Sequence, residues 1–182
     1  SPDMIHAVVS TENERFFNDP GWDPIAITRA FLTNVTAGEV VSGGSTITQQ
    51  LAENIILRNS NADFATPAQA KLNEIVISHE LAQRYSKERI LEVYLNEIYF
   101  GNQKYGVEAA AEFYFDKSAE DLNLAESALL AGLVQAPAAN DPVTNPGAAF
   151  NRLDEVVRLM TQAGNGSGCL PIPFQAQPYC VT

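Results

Sequence analysis

Three short stretches carry side chains whose types and spacing could do chemistry. The first is Thr11-Glu12-Asn13-Glu14-Arg15-Phe16-Phe17, where carboxylates stand beside aromatic rings and partial burial can bring a carboxyl toward a general-base role. The second is Gly43-Gly44-Ser45-Thr46-Ile47-Thr48-Gln49-Gln50, a glycine turn running into a helix whose first residues are hydroxyls and amides. Backbone N–H groups at a helix start bind anions, and hydroxyls supplement them, so this stretch suits a phosphate or diphosphate. The third is Lys71-Leu72-Asn73-Glu74, in which the i, i+3 spacing puts a lysine and a glutamate on one helix face. Each has an ordinary reading as well: a solvated loop, a capped helix, a surface ion pair. Their weight is joint.

The elements that must position these residues are mostly helices. Ser, Thr, Asp or Asn precedes each apolar-periodic run, and a proline often opens it. Asp23-Pro24 opens a run to Gly38, and Ser45 caps a helix to about Leu57. Thr66-Pro67-Ala68-Gln69 is a capping box for a helix to about Arg84. Ser86 caps a short helix in which Ile90, Leu91, Tyr94 and Leu95 form a packing face. Asn123 to Glu126 is a second capping box, opening an Ala/Leu-rich helix that stops before Pro137. Being apolar nearly all round, that helix belongs in the core. Asn145-Pro146 opens the last helix, to about Gln162. Only Met4 to Val9 reads as extended. Polar residues from Asn59 to Ala65 read as a lengthened, mobile loop. The fold class is therefore mainly α.

The chain of 182 residues, 46% hydrophobic, suffices for one domain, placed at 1–163, with 164–182 as a linker or the start of a following domain. A net charge of −11 disfavours nucleic acid. No apolar run is long enough to span a membrane, and the chain starts mid-pattern at Ser1, as a fragment would. Cys169 and Cys180 are compatible with a loop-closing disulfide or with two free thiols. His6 and His79 lie far from both cysteines, which disfavours a metal site.

Together the motifs resemble those of the peptidoglycan glycosyltransferases, family 51 of the glycosyltransferases, over about Ala7 to Met160. Glu12 to Phe16 resembles Glu-Asp-x-x-Phe, Gly43 to Gln50 reproduces Gly-x-Ser-Thr-x-Thr-Gln-Gln, and Lys71 to Glu74 resembles Arg-Lys-x-x-Glu. Tyr85 to Asn96 matches a fourth motif, followed by Tyr99-Phe100-Gly101. The resemblance implies a lysozyme-like helical fold with a smaller membrane-facing lobe. It implies polymerisation of lipid II at the extracytoplasmic face of the bacterial cell membrane, as in penicillin-binding proteins and monofunctional polymerases. By the same resemblance Glu12 is the general base on the acceptor hydroxyl and Glu74 the second essential glutamate. Lys71, Ser45 and Gln50, with Thr46 and Gln49 of the same motif, line the site of the departing undecaprenyl pyrophosphate. The implied partners are lipid II, the growing glycan strand, the membrane surface and a transpeptidase domain in the same chain; no cofactor is obligatory, with magnesium or manganese as an accessory.

Several positions depart from the family pattern. Asn13 replaces an Asp, Asp19-Pro20 stands where a His precedes Gly21, Ala70 replaces an Arg, Leu153 stands where a second Arg is common, and Glu53 replaces a Lys. Three cations expected near a diphosphate are missing, one of them reversed in sign. Two alternatives follow: a catalytically impaired lipid II-binding domain, suggested by the lost cations, and a lysozyme-like hydrolase, which has no need of the Gly-Ser-Thr-x-Thr-Gln-Gln stretch.

Overall fold

The computed structural model describes residues 1–25, 27, 44–57, 66–166, 168–170 and 179–180. The chain is mainly α-helical and divides into two compact units, one comprising Ser1–Glu14 with Leu95–Thr182, the other Arg15–Tyr94.

In the first unit, α1 (Pro2–Glu12) packs against α6 (Leu124–Gln135) and α7 (Pro146–Gly166), which also pack on each other. The extended reading of Met4 to Val9 is overturned, since those residues are helical. Met4, His6, Ala7, Val8 and Val9 are all buried, so the helix shows no polar face and its period is hidden in the sequence. Proline at its first turn suits a helix start, and the Ser1 hydroxyl donates to the carbonyl of Leu122. The Asn123–Glu126 capping box is present in both directions, and α6 buries Ser127, Ala128, Leu130, Ala131, Gly132 and Leu133.

Helix α5 (Val107–Phe115) is absent from the sequence expectations because it carries no side-chain cap; its N-cap is Gly106 at φ +82°. A Cβ there would lie 2.5 Å from the Asn96 carbonyl oxygen, so only glycine fits the approach. Beyond α7, which runs past the expected end at Gln162, a two-residue antiparallel ladder pairs Cys169 with Cys180 and Leu170 with Tyr179. A disulfide joins Cys169 to Cys180, which settles the choice left open by the sequence. Closing so short a loop contributes about 2–3 kcal/mol by the chain-entropy account. Gly164 N–H donates to the Glu14 carboxylate at 3.1 Å, tying the end of α7 to the residues just after α1.

In the second unit the Asp23 carboxylate accepts from Ile25 N–H, and Pro24 is helical; the expected run to Gly38 and the loop from Asn59 lie outside the described residues except for its first positions. Helix α2 (Ile47–Leu51) passes into a π-helical stretch, Ala52–Leu57. Its cap is Thr46, one residue later than expected, because Thr46 and Gln49 form a reciprocal capping box. Thr66 caps α3 (Pro67–Arg84) through Gln69 N–H, and the Ser86 hydroxyl accepts from Arg89 N–H at the start of α4 (Lys87–Glu97). Ile90, Leu91 and Tyr94 are buried, as their helical spacing requires. Among the described residues no helix is long and apolar enough to cross a membrane.

Candidate active site

Six of the seven candidate residues belong to the second unit, and five of them, Ser45, Thr46, Gln49, Lys71 and Glu74, form one hydrogen-bonded network. This glutamate sits mid-way along α3 and is 4% exposed. Its Oε1 accepts from Lys71 Nζ at 2.6 Å, one helical turn earlier, and from Gln49 Nε2 at 3.1 Å. Lys71 Nζ also donates to Ser45 Oγ at 2.6 Å, so a single ammonium joins the residue before the α2 cap to the buried carboxylate. The Lys71 side chain is 43% exposed against 6% for Glu74. Of the pair, the glutamate side chain is buried and the lysine side chain is partly exposed.

Thr46 and Gln49 spend their polar atoms inside the unit. Thr46 Oγ1 accepts from Gln49 N–H and donates to the Gly21 carbonyl at 2.7 Å, while Gln49 Oε1 accepts from Thr46 N–H. Both residues are buried. Their work is to fix the α2 start and to aim the Gln49 amide at Glu74. Gln50, half-buried, accepts at Oε1 from the Tyr94 hydroxyl at 2.9 Å. Tyr94 therefore does more than pack. Nothing in its spacing on α4 signals that role.

Burial raises the Glu74 carboxyl above its usual value. The Lys71 hydrogen bond and charge oppose that shift, the negative charge of Glu53 reinforces it, and the Gln49 amide opposes it. The reinforcement places the sign-reversed residue within electrostatic reach of the site. Glu53 is exposed, in the π-helical stretch that follows α2, a backbone form often found at functional sites. An anionic ligand at Lys71 and Ser45 would meet its repulsion. Replacing Glu53 with lysine should therefore tighten binding of a diphosphate ligand about three- to tenfold, the modest range expected of an exposed charge in salt. Titration of the ligand at low and high ionic strength checks this, and the gain should shrink at high salt.

Glu12 belongs to the other unit. It is the last residue of α1 and is half-buried, followed by the buried Asn13, whose N–H donates to the Val9 carbonyl. Its helix is anchored by packing against α6 and α7, so the carboxylate is carried on a rigid support rather than on a loop. It also lies at the helix end where backbone carbonyls make negative charge least welcome. His79, on α3, donates from Nδ1 to the Pro20 carbonyl at 3.0 Å, a contact within the unit.

A family model described as transglycosylase matches residues 1–161. Penicillin-binding protein 1A of Aquifex aeolicus is 42% identical over 161 residues, covering 88% of this chain and 22% of that protein. The protein of the same name from Vibrio cholerae is 44% identical over 158 residues, covering 87% of this chain and 18% of its own length. That from Neisseria gonorrhoeae is 42% identical over 162 residues, 88% of this chain and 20% of that protein. The chain thus spans about a fifth of the length of these relatives. With a family match over nearly all of its helical part and the motif residues gathered around Glu74, the chain belongs to the transglycosylase family.

Proposed function

We propose that the chain is a peptidoglycan glycosyltransferase domain that polymerises lipid II into glycan strands by inverting transfer, with release of undecaprenyl pyrophosphate. The observation that carries this reading is the Lys71 ammonium held between Ser45 Oγ and Glu74 Oε1, on a side chain that is 43% exposed. A hydrolase adding water across a glycosidic bond has no diphosphate to stabilise. A transferase that expels one needs positive charge and hydroxyl donors at the departing oxygens. Lys71 and Ser45 supply them, with Glu74 orienting the ammonium and Gln50, held by Tyr94, lining the same site.

Glu12 takes the proton from the 4-hydroxyl of the acceptor N-acetylglucosamine as that oxygen attacks the anomeric carbon of the donor N-acetylmuramic acid. The bond to the diphosphate oxygen breaks as the new glycosidic bond forms. Inversion requires attack and departure on opposite faces of the sugar, which assigns base and diphosphate site to different residues. The whole protein acts at the outer face of the bacterial membrane, on a lipid-anchored substrate, and carries a transpeptidase domain beyond this segment, in keeping with the much greater length of its relatives.

Loss of three family cations gives a second reading some footing: a domain that holds lipid II without turning it over. Consumption of lipid-linked disaccharide-peptide by the purified protein in detergent separates the two, run with and without magnesium or manganese. The polymerase reading expects one undecaprenyl pyrophosphate released for each linkage formed. A rise in rate with the divalent ion would mean that it offsets the charge of Glu53. Binding without consumption in every condition would leave the impaired domain as the better account.

A further inference from the structure

A second buried ion pair in the Arg15–Tyr94 unit has no part in the chemistry above. Asp19 Oδ1 accepts from Lys87 Nζ at 2.7 Å, with side-chain exposures of 4% and 19%. The same oxygen accepts from Gly21 N–H at 2.8 Å, while Oδ2 is buried without a hydrogen bond among the described residues. Lys87 lies 4.5 Å from the centre of the Phe16 ring, so its charge is held by one carboxylate and one aromatic face. Burying two charges costs more than a surface pair returns, so this pair is a poor stability device. What it holds is the turn Asp19-Pro20-Gly21.

That turn is fastened at every residue. The Pro20 carbonyl accepts from His79, and the Gly21 carbonyl accepts from Thr46 Oγ1. Gly21 stands at φ +100°, against α3, where a Cβ would lie 2.3 Å from the Ser78 carbonyl oxygen. From Gly21 the contacts continue inward: Thr46 Oγ1 caps Gln49 N–H, Gln49 Oε1 returns to Thr46 N–H, and Gln49 Nε2 donates to Glu74. Each member has its geometry set by the one before it, and the sequence ends on the carboxylate that orients Lys71.

We propose that Asp19 and Lys87 are positioning residues for the Glu74–Lys71 site, acting as one charge pair through Gly21, Thr46 and Gln49. The pair touches no substrate; it fixes the hydrogen-bonded path that aims Gln49 at Glu74. Its place in the sequence is where the resembling family has a histidine before the glycine, so the chain reaches the turn by a different chemistry there. This inference rests on the polymerase reading only for its kinetic consequence, not for the path itself.

The test is a double-mutant cycle on the purified protein with Asp19→Asn, Lys87→Gln and both together, read by turnover and by titration of the Glu74 carboxyl. Carbon NMR with labelled glutamate side chains gives the titration, and loss of one signal in Glu74→Gln assigns it. In Asp19→Asn the side-chain amide still offers an oxygen to Gly21 N–H, so the turn keeps its backbone contact while the charge is lost. Each single change should lower kcat about tenfold, with KM altered less than about twofold, and the pair of changes together should cost no more than either alone. The Glu74 midpoint should rise in both, because a less well-aimed Gln49 amide stabilises the anion less. A fall in thermal midpoint with kcat and the Glu74 titration unchanged would overturn the proposal and leave a merely structural pair. Should Asp19→Asn not fold, Lys87→Gln, which removes the charge from the other side of the pair, carries the same comparison. A wild-type protein without turnover whose Glu74 titration nevertheless responds to these substitutions would remove the polymerase reading and leave the positioning path standing.

Discussion

Glu12→Gln is expected to remove polymerisation, lowering the rate by about a thousandfold or more, within the range attributed to a positioned general base. The amide cannot take the acceptor proton, while the side chain keeps its length and shape. Position 12 closes α1 and is half-buried, glutamine and glutamate have nearly equal helix propensity, and the helix is held by the burial of Met4, Ala7, Val8 and Val9. The thermal midpoint should therefore correspond to a stability change within about 0.5 kcal/mol of wild type. Retained binding of the lipid-linked substrate, measured by its effect on that midpoint, should accompany the loss of rate. A loss of both binding and rate would point to a structural role for Glu12 instead.

Glu74→Gln is expected to separate activity from stability in a different way. Its oxygen could still accept from Lys71 and Gln49, but the charge that orients the ammonium is gone, so turnover should fall by about a hundred- to a thousandfold, the cost of losing one charge-stabilising contact. Stability should move the other way. Because burial holds this carboxyl above its usual range, the folded protein retains a proton at a pH where the unfolded chain has released it. Stability from this group is fully present below 4.5, the ordinary carboxyl value, and is lost as pH rises through the raised value. A neutral glutamine removes that loss. The variant should thus melt at the same temperature as wild type or higher at neutral pH, and the difference should shrink as pH falls toward 4.5. Melting curves at several pH values check it, and a lower midpoint for the variant at neutral pH would show that Lys71 outweighs burial.

How much of this could be read from the residues depends on which interactions are local. Helix starts at Thr66, Ser86 and Asn123 are legible because each cap bonds an amide two or three residues away. Thr46 displaces the expected Ser45 for the opposite reason. Ser45 is drawn off by Lys71, 26 positions along the chain, and the adjacent hydroxyl takes over the cap. Helix α1 is hidden by burial on all sides, and α5 by a glycine start that the surrounding backbone, not a side-chain cap, makes necessary.

The site divides along the same line. Lys71 with Glu74 is a one-turn helix pair, and its spacing alone predicts the contact. Gln49 reaching Glu74, Tyr94 holding Gln50, and Lys87 paired with Asp19 span 25, 44 and 68 residues, and no periodicity points to them. Glu53 is a middle case. As a residue of the wrong sign it stands out in the motif, but its effect on Glu74 follows only from the fold. The motif therefore singled out the candidate residues, and the structure supplied the contacts that hold them.

The most direct test of the central claim is the product formed from lipid-linked disaccharide-peptide by the wild-type protein beside Glu12→Gln, resolved by chain length on a gel. The account predicts a ladder of glycan chains from the wild type and unreacted substrate from the variant under the same conditions. Equal ladders from both proteins, or substrate bound but never joined by the wild type with or without divalent cations, would contradict it.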